Sequence, residues 1–250
     1  EYLTAIYHFQ GIFSYESGNS NSGTGTSITY GTDKWNGKSA IFNGTTSRVA
    51  VADSTSFAFT GQFDVFIWAK WTATTSGMYL MSKRIEGDVF QDNTYQTNVF
   101  STSGDAGIAI QVNAATAGDV RCLVGGTVIT SSTAGYNDGE WHLVRLVRDS
   151  ANLVTLYVDN ISKGTATVTG TMATSQTLYI GSDFYGGYFA GSIARLRLYN
   201  GGNVLTENAT LIYSIRNPRS TIKFGGKVTK ISNQLGMKDI TSQSFGKILA

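Results

Sequence analysis

The sequence is poor in cysteine, proline, histidine and charge, and each shortage excludes something. A single cysteine, Cys122, rules out an internal disulfide and any CxxC metal or redox pair. It sits in the strand-like stretch DVRCLVGG and reads as a buried, inert thiol. The only histidines are His8 and His142. With one cysteine they are too few for the common zinc sites, and no Gly-x-Ser-x-Gly elbow accompanies them for nucleophilic catalysis. Both read as packing or hydrogen-bonding residues. Only five glutamates occur, at positions 1, 16, 86, 140 and 207. Charged residues make up 14% of the chain against 41% hydrophobic, too little charge for a disordered protein. No apolar run reaches the roughly 18 residues of a membrane span. No signal peptide is visible, and the chain starts at Glu1 rather than Met, which leads us to expect a processed or excised segment.

What is present points to β-structure. The 250 residues include 29 Gly, 13 Tyr and 13 Phe, with abundant Ser and Thr and a single proline, Pro218. Aromatic and β-branched residues suit half-buried pleated surfaces, and Gly and Asn supply turns. Apolar stretches open with EYLTAIYHFQG and continue through GQFDVFIWAKWT, GMYLMSKR, GIAIQVNA and VRCLVGGTVI. GQFDVFIWAKWT is apolar on both faces, as expected of an inner strand. YESGNSNSGTGTS reads as a loop, and KSAIFNGTTSRVAVAD as two strands in a hairpin around NGTT. GYNDGEWHLVRLVRDSANLVTLYVDNISKGTATV reads as three strands with two turns. SQTLYIGSD and GSIARLRLYN close the series. Strands at this spacing predict an all-β, two-sheet antiparallel β-sandwich. In the last strand Ala194, Leu196 and Leu198 are expected in the core, with Arg195, Arg197 and Tyr199 on the other face.

Charge divides the chain. Residues 1–200 carry 12 Lys+Arg and 15 Asp+Glu, a net −3, whereas residues 201–250 carry 7 and 2, a net +5. A near-neutral body is not expected to bind nucleic acid, which needs a cationic face. The basic tail holds too many apolar residues for a free linker, so it is expected to dock on a partner surface.

Four segments, in order, resemble the laminin-G-like, concanavalin A-like jelly-roll family: YHF…YESGNSNSGT, GKSAIFNGTTSRVAVADSTSFAFTGQFDVFIWAKWT, NDGEWHLVRLVRDSANLVTLYVDN and LYIGSDFYGGYFAGSIARLRLYN. The resemblance covers roughly residues 5–200. It implies a jelly-roll domain over residues 1–200, followed by a C-terminal extension over 201–250, and an inward-packed Trp141. It says little of function, because the fold hosts lectins, adhesion modules, glycosidases and virion proteins.

Relatives of the laminarinase-like glucanase branch carry Glu-x-Asp-x-(x)-Glu on a strand. The comparable stretch here, EGDVFQ, offers Glu86 and Asp88 and then Phe90 or Gln91. Gln91 has no proton to donate, so the acid/base of a retaining glycosidase is missing and no catalysis is expected. Many relatives also hold one Ca²⁺ between the first loop and an acid of the closing strand. The resemblance places Glu16 as a metal ligand here, but Ala194 and Arg195 stand at the closing positions, and a cation there repels Ca²⁺. No cofactor is therefore expected at that site, although another set of oxygens is available at Asp88, Asp92 and Asp183.

Glycan binding needs exposed rings and polar groups that satisfy hydroxyls. SDFYGGYF offers Asp183, Phe184, Tyr185 and Tyr188, and DVFQDNTY offers Asp88, Gln91, Asp92, Asn93 and Tyr95. The sequence thus predicts a non-catalytic carbohydrate-binding or adhesion module on an extracellular, virion or cell surface, facing a glycan or cell-surface receptor. A second expectation is a structural or decoration protein of a phage-like virion or other surface assembly. It would dock on other copies or a scaffold through Arg216, Arg219, Lys223, Phe224 and Lys227. Sequons at Asn43, Asn160 and Asn208 read as turn chemistry.

Overall fold

In a computed structural model, which describes residues 3–7, 9, 21–35, 37–85, 107–170 and 172–201, period-two alternation builds fifteen strands. The first five are β1 (Leu3–Tyr7), β2 (Gly23–Thr26), β3 (Thr29–Thr32), β4 (Lys38–Asn43) and β5 (Arg48–Val51). A 3₁₀ turn at Thr55–Phe57, capped by Ser54, is the only helical element among the described residues. Next come β6 (Phe63–Lys70), β7 (Met78–Arg84), β8 (Gly107–Val112), β9 (Val120–Val124) and β10 (Thr127–Thr130). The series ends with β11 (His142–Arg148), β12 (Leu153–Val158), β13 (Ile161–Thr167), β14 (Leu178–Ile180) and β15 (Ala190–Asn200).

All pairings are antiparallel. One sheet runs β13-β12-β11-β6-β15-β4-β3, with β1 also on β15, and the other runs β10-β9-β8-β7-β14-β5-β2. β6 is the inner strand the sequence predicts. β15 is flanked by β6 along almost its whole length, and on its other side by β4 and then β1. Val65, Ile67, Leu146, Leu196 and Leu198 of one sheet and Leu80, Ile108, Ile110, Cys122 and Ile180 of the other are fully buried in a single core. Burial pushes the Cys122 thiol up to about 12, in line with an inert core residue.

Several local expectations are corrected. NGTT does not close a hairpin, because β4 and β5 belong to different sheets. The Asn43 carboxamide turns the chain in on itself instead: its Oδ1 accepts from the N–H groups of Thr45 (2.9 Å), Thr46 (2.9 Å) and Ser47 (3.0 Å). Ser47 Oγ then donates to Ser27 O at 2.6 Å, joining two crossings between the sheets. Part of the predicted glycine-rich loop is strand β2, paired with β5. The register shifts between Ile193 and Arg195, and this bulge moves Ala194 out of phase. Ile193, not Ala194, joins Leu196 and Leu198 in the core. Ala194 packs on the outer face of the larger sheet with Phe66, Trp68, Trp141 and Leu143. Trp141 therefore packs outward, and Trp71 is the tryptophan buried in the core.

That outer face is organised by cations on rings. Arg195 stands 4.9 Å over Trp35, which meets Trp68 edge-on at 5.0 Å. Arg145 donates to both oxygens of the fully buried Asp64, at 2.9 and 2.7 Å. The same guanidinium lies 5.1 Å from the Phe66 ring and 5.3 Å from Tyr157.

His142, at the start of β11, is held between Asp159 (Nδ1, 2.7 Å) and Asp138 (Nε2, 3.1 Å). Burial lowers its pKa, but the hydrogen bonds and charges of Asp159 and Asp138 outweigh burial and the net shift is upward from 6.5. A raised folded-state pKa adds stability that is complete below the unfolded value and is lost as pH rises through the folded one. The denaturant midpoint is accordingly expected to fall as the pH rises from the ordinary histidine value through the raised one, and to fall less in His142→Gln. Equal pH dependence in the two proteins would sink this assignment.

Candidate functional site

The connection from β14 to β15 folds back over the outer face of the smaller sheet. It can do so because Gly181 has φ +79° and a Cβ there would stand 2.1 Å from the Phe42 ring. Backbone bonds tie it down: Gly181 N to Leu80 O (3.0 Å), Tyr79 N to Gly187 O (2.9 Å) and Phe189 N to Gly181 O (2.9 Å). Phe189 is fully buried against Phe42 and Trp71. Asp183 and Gly186 exchange backbone bonds of 2.7 and 3.3 Å and close a tight turn. Phe184 and Tyr185 occupy its tip, 43% and 38% exposed.

The turn is anchored by Asp183, which is 4% exposed. Its Oδ1 accepts from Ser82 Oγ at 2.6 Å, and its Oδ2 accepts from Arg84 Nε at 2.9 Å and from a second Arg84 nitrogen. The Arg84 guanidinium also lies 5.9 Å from the Tyr79 ring. Burial first, and then the Asp183 charge, push the Tyr79 phenol above its ordinary pKa, so Tyr79 is a neutral hydroxyl across the physiological range.

Outside this anchor the rings form a continuous surface. Phe184 meets Tyr185 edge-on at 4.9 Å and Tyr179 at 6.4 Å, and Arg48 stands 5.4 Å over Tyr179. Arg48 has no carboxylate partner among the described residues. The patch combines stacking rings with an available guanidinium.

Of the candidates in SDFYGGYF, the fold brings Phe184 and Tyr185 together and turns Asp183 inward as their anchor. Tyr188 is half-buried and makes no ring contact with them. Asp88, Gln91, Asp92, Asn93 and Tyr95 lie outside the described residues, as do Glu16, Glu86, His8 and the tail residues Arg216, Arg219, Lys223, Phe224 and Lys227. Sequence reasoning passed over Arg48, Tyr179, Ser82 and Arg84. Their signal is modest: each is an outward-phase residue of a strand whose other phase is core.

The residues described do not suit the calcium of the resemblance. Ala194 is packed among rings, and the Arg195 guanidinium lies over Trp35, 3.9 Å from Asp33. Asp183 is committed to Arg84 and Ser82. Among the described residues no three His, Cys, Asp or Glu gather to hold a metal, and no helix is long and apolar enough to cross a membrane.

A family model described as the concanavalin A-like lectin/glucanases superfamily, laminin G type 3, matches residues 43–208. Comparison with curated protein sequences finds no match. Among solved structures, the chain is similar to domain 4 of an extracellular arabinanase from Geobacillus stearothermophilus in complex with arabinotriose. That likeness has 21% identity and a TM-score of 0.59, covering 84% of this chain and 98% of that one. It is also similar to the binding domain of botulinum neurotoxin serotype G (11% identity, TM-score 0.60, 91% and 54% covered). A third is the binding domain of Paraclostridial Mosquitocidal Protein 1 (11%, 0.59, 85% and 52%). The chain spans about half the length of these two toxin binding domains.

Proposed function

The chain belongs to the concanavalin A-like lectin/glucanases superfamily, and from that premise we propose that it is a non-catalytic, glycan-binding module displayed on an exterior surface. The observation that carries this reading is the ring surface of exposed Phe184 and Tyr185 and half-buried Tyr179 beside Arg48. Sugar rings present flat C–H faces to aromatic rings and hydroxyls to a guanidinium, so the patch suits a saccharide better than an extended apolar peptide. The arabinotriose complex and the extracellular setting of the similar arabinanase domain support the same direction.

Most of the described carboxylates hold the fold, which favours a binding role over hydrolysis. Asp64 pairs with Arg145, Asp183 with Arg84, and Asp53 with the buried Lys83. Asp119 and Asp149 accept from backbone N–H groups. A glycosidase needs two carboxyl groups free to face the scissile bond.

The test is a panel of immobilised polysaccharides, arabinan included, followed by affinity measurement on the best binder. Phe184→Ala and Tyr185→Ala are each expected to weaken binding by about 5- to 30-fold, as exposed aromatic anchors do. The reading fails if no polysaccharide binds, or if both variants bind like the wild type.

A further inference from the structure

A second feature lies at the end of the sandwich where β6 finishes and β15 begins. Lys70, Trp71, Thr72, Ala73, Gly139 and the Ala190–Ser192 segment line a cleft of about 450 Å³, a volume typical of small-ligand sites. None of the ring-patch residues lines it. The close approach of its walls depends on Gly191, where a Cβ would fall 2.5 Å from Lys70 O. Ser192 is the cross-strand partner of Lys70, so the two side chains leave the same face of the sheet as neighbours. Gly139, whose N–H donates to Trp71 O at 3.1 Å, fixes the opposite wall.

The chemistry of the lining is one-sided. Lys70 Nζ stands 5.2 Å over the Trp141 ring, and it has no ion-pair partner among the described residues. Thr72 and Ser192 add hydroxyls with no hydrogen-bond partner among the described residues, and the two glycines add bare backbone. The described lining holds no carboxylate. Of the two acids that flank Gly139, Asp138 is turned to His142, and Glu140 is exposed and lies outside the lining. A single cation beside a platform of hydroxyls and backbone matches a ligand with one negative charge and several hydroxyls. It does not match a phosphate group, which calls for several converging donors.

We propose that this cleft is a separate binding site for the carboxylate-bearing unit of an acidic sugar. Lys70 receives the carboxylate, and Thr72, Ser192 and the glycine backbone receive the ring hydroxyls. The site does not depend on the aromatic turn, so it stands or falls apart from the reading above.

The test uses amide chemical shifts during titration with glucuronate, galacturonate and N-acetylneuraminate, with glucose, galactose, acetate and inorganic phosphate in parallel. At least one acidic sugar is expected to give saturable shifts at residues 70–73 and 190–192. The neutral hexoses, which lack the charge-assisted hydrogen bond, and acetate, which lacks the ring hydroxyls, should each bind roughly tenfold more weakly or less well still. Lys70→Gln should erase the preference for the acidic sugar while leaving the rest of the spectrum in place, and Tyr185→Ala should leave the titration unchanged. The proposal is overturned if no acidic sugar shifts those amides, if Lys70→Gln binds it as well as the wild type, or if phosphate or acetate binds equally.

Discussion

Replacing Asp64 by alanine is expected to lower the unfolding free energy by about 4 kcal/mol. Asp64 is fully buried on the outer face of β6, and Arg145 meets it with two bonds. The guanidinium is 4% exposed and held between Phe66 and Tyr157. Without the carboxylate, Arg145 keeps its charge in a place water reaches poorly, and its desolvation is no longer offset. Urea unfolding gives the measurement. A loss below about 1 kcal/mol would mean that the arginine escapes to solvent and that the pair does not hold the sheet face. Replacing both partners, as Asp64→Leu with Arg145→Met, should recover most of the loss, because apolar side chains leave no charge behind.

Asp183→Ala is expected to cost about 3 kcal/mol by the same reasoning, and it should also weaken polysaccharide binding. Arg84 loses its buried carboxylate, Ser82 loses its acceptor, and the turn carrying Phe184 and Tyr185 keeps only its backbone bonds. Asp183→Asn, which retains shape and one acceptor, should fall between wild type and alanine. Tyr185→Ala supplies the contrast. It removes an exposed ring and should leave stability within about 0.5 kcal/mol while weakening binding. If Asp183→Ala were as stable as the wild type, Asp183 would face solvent and could itself be a ligand contact.

Architecture was legible in the chain because strand alternation and turn residues are local signals. The inner strand β6, the outward arginines of β15 and the tight turn at Asp159–Asn160, both with positive φ, follow from them. Pairing was less legible. Asn43-Gly44 marks a turn, but whether the next strand pairs with the last or crosses to the other sheet depends on partners more than a hundred residues away, in β14 and β15. The bulge at Ala194 was hidden for a similar reason. One extra residue shifts the phase without leaving a mark in the pattern, and it reverses the faces of Ile193 and Ala194. At the site, the aromatic turn declared its rings, but not that Asp183 would face inward. That follows from Ser82 and Arg84, two outward positions of a strand on the neighbouring side of the sheet.

The placement of β15 also has a kinetic consequence. The last described strand in the chain is not at an edge. It separates β6 from β4, and it holds β1. Until residues 190–200 are made, β6 and β4 have no shared neighbour, and the larger sheet exists as two fragments with open edges and β1 without its partner. Such late, long-range pairing places the protein among the slow folders of the β-sandwich class, which take milliseconds to seconds. During synthesis the earlier strands must wait with their apolar faces uncovered. The strand that closes the larger sheet is therefore also the step that covers the open edges of β6 and β4.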